Sequence, residues 1–332
     1  MSGAAVFRAR ATGIGSMPGE DVVEAVRVVT GELPDLVHLP ELPERAPHAS
    51  MTGRAAALLA GLAADLQSAG WRLTDASGID HRRAVSLLAQ DLDAIEEHTG
   101  GYAGPLKVQV SGPWTLAATM ERPRGDRVLA DHGARRELTH SLAEGIAEHV
   151  ADVARRVPGA DVVVQVEEPA LPAVLAAAVP TAGGFGRHRS VDASTASAAL
   201  QQLTAAISGA GASPVVHVCA SDVPVSLLVG AGFTAISYNL AQARPDDVWS
   251  QALEAGVDLW PGVVPSTRPE TAVTDAELTD RLLRFFDRLG HDAPTLAQRI
   301  VVTPACGLAG ASPDWTRVAL RLATRVAAAV TG

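Results

Sequence analysis

Lysine is nearly missing from this chain: Lys107 is the only one, and Asp and Glu outnumber Lys and Arg by 37 to 27, for a net charge of −10. A chain so balanced has no basic stripe with which to neutralise a phosphate backbone, so nucleic acid is not an expected partner. Cysteine is almost as scarce. Two residues among 332 rule out a disulfide framework, and a rare cysteine in such a chain is buried, metal-bound or catalytic. No segment offers the roughly 20 uninterrupted apolar residues of a membrane span, and the opening MSGAAVFRARATG lacks the apolar run of a signal peptide. A cytoplasmic protein without a membrane partner is the expectation.

Aromatic residues make up only 4% of the chain, yet hydrophobic residues reach 47%, most of them Ala, Val and Leu. A core of small and branched aliphatics suits parallel strands covered by helices. Short β-rich runs alternate with longer helical stretches from end to end, the pattern of repeated βα units. Strands are expected to end near Ser16, Pro40, Ser111, Glu167, Cys219, Tyr238, Val263 and Pro304. Helices are expected over 50–69, 81–98, 132–156, 193–210, 245–255, 275–288 and 312–330, and βα loops over 120–131, 179–192 and 264–273. No Pro/Gly/Ser-rich linker divides the chain. The expected fold is therefore α/β, a (β/α)₈ TIM barrel formed by residues 1–332 as a single domain, with an open doubly wound sheet as the alternative.

In such a barrel the C-terminal ends of the strands converge on one mouth. Ser16, Glu41, Ser111, Glu167, His217, Cys219 and Cys306 all fall there. The one-residue gap in His217-Val218-Cys219 puts both side chains on one face of a strand. Cys306 follows the last strand in TPACGL, beside Gly307, whose backbone freedom would let the sulfur turn inward. Taken singly, each residue type is more common as a satisfied core residue. Together, two thiolates and an imidazole form a soft set suited to Zn²⁺, and three ligands leave one position open for a substrate thiol. Zinc would hold that thiol as a nucleophilic thiolate.

The ordered motifs IGSMP (14–18), ELPER (41–45), SGPWTL (111–116), QVEEPAL (165–171), HVC (217–219) and PACGL (304–308) resemble the C-terminal catalytic barrel of cobalamin-independent methionine synthase, in a short single-barrel form. The resemblance runs through most of the chain and implies zinc-dependent methyl transfer from 5-methyltetrahydrofolate to homocysteine, giving methionine. It implies zinc on His217, Cys219 and Cys306, and the homocysteine amino group on the backbone of Ile14 and Ser16 and on the carboxylates of Glu41 and Glu167. It places the methyl donor near Ser111 and Trp114.

Three departures follow. Where the family has a glutamate ligand, this chain reads AISYNLAQAR without an acid, which leaves water, Asp222 or a neighbouring carboxylate as fourth ligand. Glu167 stands where the family has Asp. The loop GVVPSTRP lacks the family's proposed acid, a histidine, so the catalytic acid is unassigned. A corrinoid protein or another donor is an alternative source of the methyl group. Other readings are a metal-free enzyme of the uroporphyrinogen-decarboxylase type and a non-catalytic zinc- or thiol-binding protein.

Overall fold

A computed structural model describes residues 10–331. The first nine residues, part of the stretch expected to lack a signal peptide, lie outside the described residues. Among the described residues there are ten strands: β1 (Arg10–Ala11), β2 (Val37–His38), β3 (Ala63–Gln67), β4 (Gly70–Thr74), β5 (Pro105–Ser111), β6 (Asp161–Glu167), β7 (Ser213–Val218), β8 (Ala235–Asn239), β9 (Asp258–Val264) and β10 (Val301–Pro304). Eight of them form one parallel sheet in the order β1-β10-β9-β8-β7-β6-β5-β2. The segments that follow the two terminal strands of this order meet in a parallel bridge between Ser16 and Glu41. The Glu41 N–H donates to the Gly15 carbonyl at 3.0 Å and the Met17 N–H to the Glu41 carbonyl at 2.8 Å. The sheet thus curls until its ends touch, a TIM-barrel-like α/β arrangement.

The reason lies in the strand sequences. LKVQVS in β5 and DVVVQVE in β6 are buried on nearly every residue, as strands covered on both faces must be. The helices between them start where the sequence supplies side-chain oxygens. Asp131 accepts from the Ala134 N–H at 2.9 Å at the start of His132–Arg156, and Asp192 accepts from the Thr195 N–H at 2.8 Å at the start of Ala193–Gly209. Thr274 and Glu277 cap Asp275–Asp287 reciprocally.

One expected helix is wrong. Residues 50–69 are helical only over Met51–Ala56; β3 and β4 then pair as an antiparallel hairpin. Gly61 and Gly70, at φ +69° and +115°, sit where a right-handed helix cannot continue without strain, and Trp71 and Leu73 gain burial from the alternation of a strand. The hairpin is fastened to the 120–131 loop, where Leu73 N–H donates to Glu121 O and Glu121 N–H to Trp71 O, both at 2.9 Å.

Between sheet and helices lies the main hydrophobic core. A separate cluster, Leu36, Val163, Val215, Ala235, Trp260 and Val301, fills the inside of the curled sheet at its lower level. Among the described residues no helix is long and apolar enough to cross a membrane.

Candidate metal centre

Two residues beyond that apolar plug, the inward positions become polar. Val163 is followed by Gln165 and Glu167 on β6, Val215 by His217 on β7 and Ala235 by Ser237 on β8. Strand register places Glu167 beside His217 and His217 beside Ser237.

His217, Cys219 and Cys306 come together with their ligating atoms all within 4.8 Å of one another. The His217 Nδ1 lies 2.9 Å from the Ser237 hydroxyl, while Nε2 is buried without a hydrogen-bond partner. A ring fixed through Nδ1 with its other nitrogen orphaned is what a metal ligand requires. Nothing local in AISYN marks Ser237; its role depends on the strand register that sets it beside His217. A hydrogen bond from Cys219 holds Cys306 below the usual thiol range, and the same bond together with burial pushes Cys219 up. The pair thus shares a proton that a soft cation would displace. The donor set and the orphaned nitrogen fit zinc. Asp222 is exposed and lies outside the group, which among the described residues contains no fourth side chain.

Gly307 matters for a different reason from the one expected. A Cβ there would lie 2.0 Å from the Ser16 Oγ, so the residue supplies room and not a left-handed backbone. This close approach lets the Leu308 N–H donate to the Ser16 carbonyl at 2.8 Å, tying the Cys306 loop to the 14–16 segment.

Charged groups unusual for a barrel interior lie alongside. Lys107 is fully buried, and its Nζ donates to the Ile14 carbonyl at 2.8 Å; burial drags its pKa down to about 7. The Gln165 amide donates to the same carbonyl at 2.8 Å and also to the Glu167 carboxylate. Both lone pairs of the Ile14 carbonyl are therefore occupied. Burial pushes Glu167 up to about 7 and raises Glu41 as well. Arg54 donates to Glu41 Oε1 at 3.1 Å and to Asp91, which Arg45 also contacts. Ser111 is buried at the end of β5, and its hydroxyl has no partner.

Glu168 has a separate task. Adjacent residues on a strand face opposite ways, so Glu167 enters the mouth and Glu168 points behind it. There it accepts from the Trp114 N–H at 2.9 Å and from the Thr115 N–H and hydroxyl, both at 2.8 Å, capping the helix Pro113–Thr119. A Cβ on Gly112 would lie 2.3 Å from the Glu168 carboxylate, which explains that glycine. The Trp114 ring is buried, with its indole N–H donating to Ala196 O at 3.1 Å. In the GVVPSTRP loop Arg268 stacks on Trp315 at 5.8 Å, and the Trp315 indole donates to Pro265 O at 3.1 Å.

A TIM-barrel-like sheet with a His/Cys/Cys group at the C-terminal ends of its strands defines a class, that of α/β barrel-like proteins whose mouth carries side chains that could hold a soft metal ion. The sequence model of the family described as "Cobalamin-independent synthase, Catalytic domain" matches residues 104–329. The chain belongs to that family. Among solved structures it is similar to a B12-independent methionine synthase from Shewanella sp. W3-18-1 in complex with selenomethionine, at 15% identity and a TM-score of 0.63, covering 97% of this chain and 98% of that one. It is also similar to methylaspartate ammonia lyase from Clostridium tetanomorphum, at 13% identity and a TM-score of 0.46 over 99% of this chain and 60% of that one, too distant to carry an argument. Among curated protein sequences, none matches.

Proposed function

We propose that residues 1–332 form one barrel domain of a cytoplasmic, zinc-dependent S-methyltransferase that methylates homocysteine to methionine. The observation that carries this reading is the buried, unpartnered His217 Nε2 grouped with the only two cysteines of the chain. When bound, the metal supplies positive charge that keeps a substrate thiol deprotonated near neutral pH. Family membership and likeness to a B12-independent methionine synthase support methyl transfer as the chemistry.

The chain's own residues then hold the amino acid. Glu41 keeps Oε2 free after Arg54 takes Oε1, and Glu167 keeps Oε2 free after Gln165 takes Oε1. Burial has raised both carboxylates, so an ammonium placed between them restores their charge and is held by charge-assisted hydrogen bonds. The Ile14 carbonyl, already filled, stiffens the 14–16 segment, and the Ser16 carbonyl retains a lone pair for the substrate. The unsatisfied Ser111 hydroxyl is left available to the donor, while Trp114 orders the helix that follows it.

The donor is tested by assaying methionine formation from homocysteine with methyltetrahydrofolate, with a methylated corrinoid protein and with a sulfonium compound. The N5 of methyltetrahydrofolate leaves only when protonated, and Ser266, Thr267 and Arg268 supply no acid near pH 7. Turnover with free methyltetrahydrofolate is expected to be the slowest of the three. Brisk turnover with it alone overturns that expectation. Zinc-loaded protein inert with every donor favours a non-catalytic thiol-binding role.

A further inference from the structure

We propose that the helix layer outside β6 and β7 carries a second binding site, for a small molecule bearing several phosphate or carboxylate groups. Two adjoining cavities of about 430 Å³ and 510 Å³ share His132 and Arg135 as lining residues. They run along the N-terminal halves of the helices His132–Arg156 and Ala193–Gly209, as far as His140 and Gln202, and against the 187–192 segment. Neither cavity includes His217, Cys219, Cys306, Glu41 or Glu167 among its lining residues.

The lining is cationic in a molecule whose net charge is −10. Arg135, Arg136, Arg187 and Arg189 all line it, and among the described residues none of the four forms an ion pair. Arg135 is held in place by packing 6.0 Å from the Trp114 ring centroid, and its Nε is buried with no acceptor. His188, 7% exposed, has an Nε2 without a hydrogen bond, its nearest acid being Asp126 at 3.4 Å. Asp192 is the one lining acid, and its oxygens are already taken by Ser194 and by the Thr195 N–H and hydroxyl.

Elsewhere the chain treats its buried guanidinium differently, setting Arg54 between Glu41 and Asp91. Arg135 is partly buried with only the Asp131 and Asp192 carboxylates near it, and Arg136, Arg187 and Arg189 stand exposed around it, so the cleft keeps an excess of positive charge that an entering anion would offset. Several guanidinium groups around one cleft match several anionic groups on one ligand, since each planar fork takes a phosphate or carboxylate in two parallel bonds. The cavity volumes are those of a small-molecule site.

The test is calorimetric titration of the full chain at low salt with tripolyphosphate and, separately, with citrate. Arg135→Gln removes the guanidinium packed near Trp114; Arg136→Gln/Arg189→Gln removes two exposed ones, a change the fold tolerates. Each variant is expected to bind about tenfold more weakly. The tighter of the two probes tells whether phosphate or carboxylate is the natural group. A Cys219→Ser variant should bind the anion as the parent does, so this site can stand even if the metal reading fails. Binding of neither probe, or equal binding by parent and Arg136→Gln/Arg189→Gln, overturns the proposal.

Discussion

At the lower level inside the sheet, Leu36, Val163, Val215, Ala235, Trp260 and Val301 make an apolar plug, whereas the next inward positions hold Gln165, Glu167, His217 and Ser237, with the Lys107 ammonium among them. The same strands build both levels, and a step of two residues changes the chemistry. The plug gains stability from burial and shape. The level above it holds groups whose burial is unfavourable, shown by a lysine brought down to about 7 and a glutamate brought up to about 7. Groups kept so far from their ordinary ionisation await a charged partner, and that is the mark of a site.

The contrast can be broken from below. Trp260→Ala empties the plug and should cost about 3–5 kcal/mol of stability by chemical denaturation. The folded variant should keep its affinity for zinc, because the metal group lies one level up. A loss of metal with little loss of stability would show that the two levels are not separable.

Lys107→Met sharpens the contrast from above. The folded-state pKa of Lys107, about 7, lies below the ordinary lysine value of 10.5, so the unfolded chain binds more protons between those values. Stability from this group therefore rises with pH from about 7 to 10.5, by up to about 5 kcal/mol. Denaturation curves at several pH values should show the parent gaining on Lys107→Met across that window. Parallel pH dependences would mean that Lys107 stays charged in the fold.

A smaller effect is expected at Glu167. Glu167→Gln should weaken homocysteine binding by roughly 1–3 kcal/mol through loss of one charge-assisted contact. Calorimetry on zinc-loaded protein measures it, and undiminished affinity would remove Glu167 from the amine pocket.

Much of this was legible in the chain itself. Runs such as DVVVQVE announce parallel strands because both faces are apolar, and Asp131 marks the start of a helix that runs over His132–Arg156 as expected. The 50–69 stretch misled because ALLAGLAADL has helical composition; the punctuating signals were Gly61 and Gly70. At the site, the spacing of His217 and Cys219 was readable, since period two is local. Ser237 was not, because a hydroxyl becomes a partner of His217 only through the pairing of two strands. The division of labour between Glu167 and Glu168 follows from alternation, but the helix N–H groups that receive Glu168 come from residues 54 and 53 positions earlier.

The central claim is that His217, Cys219 and Cys306 hold one zinc ion. Metal analysis of purified protein should find about one zinc per chain, and Cys219→Ser/Cys306→Ser should lose most of it while its circular dichroism remains that of the parent. A double variant that keeps its full complement of zinc would contradict the account.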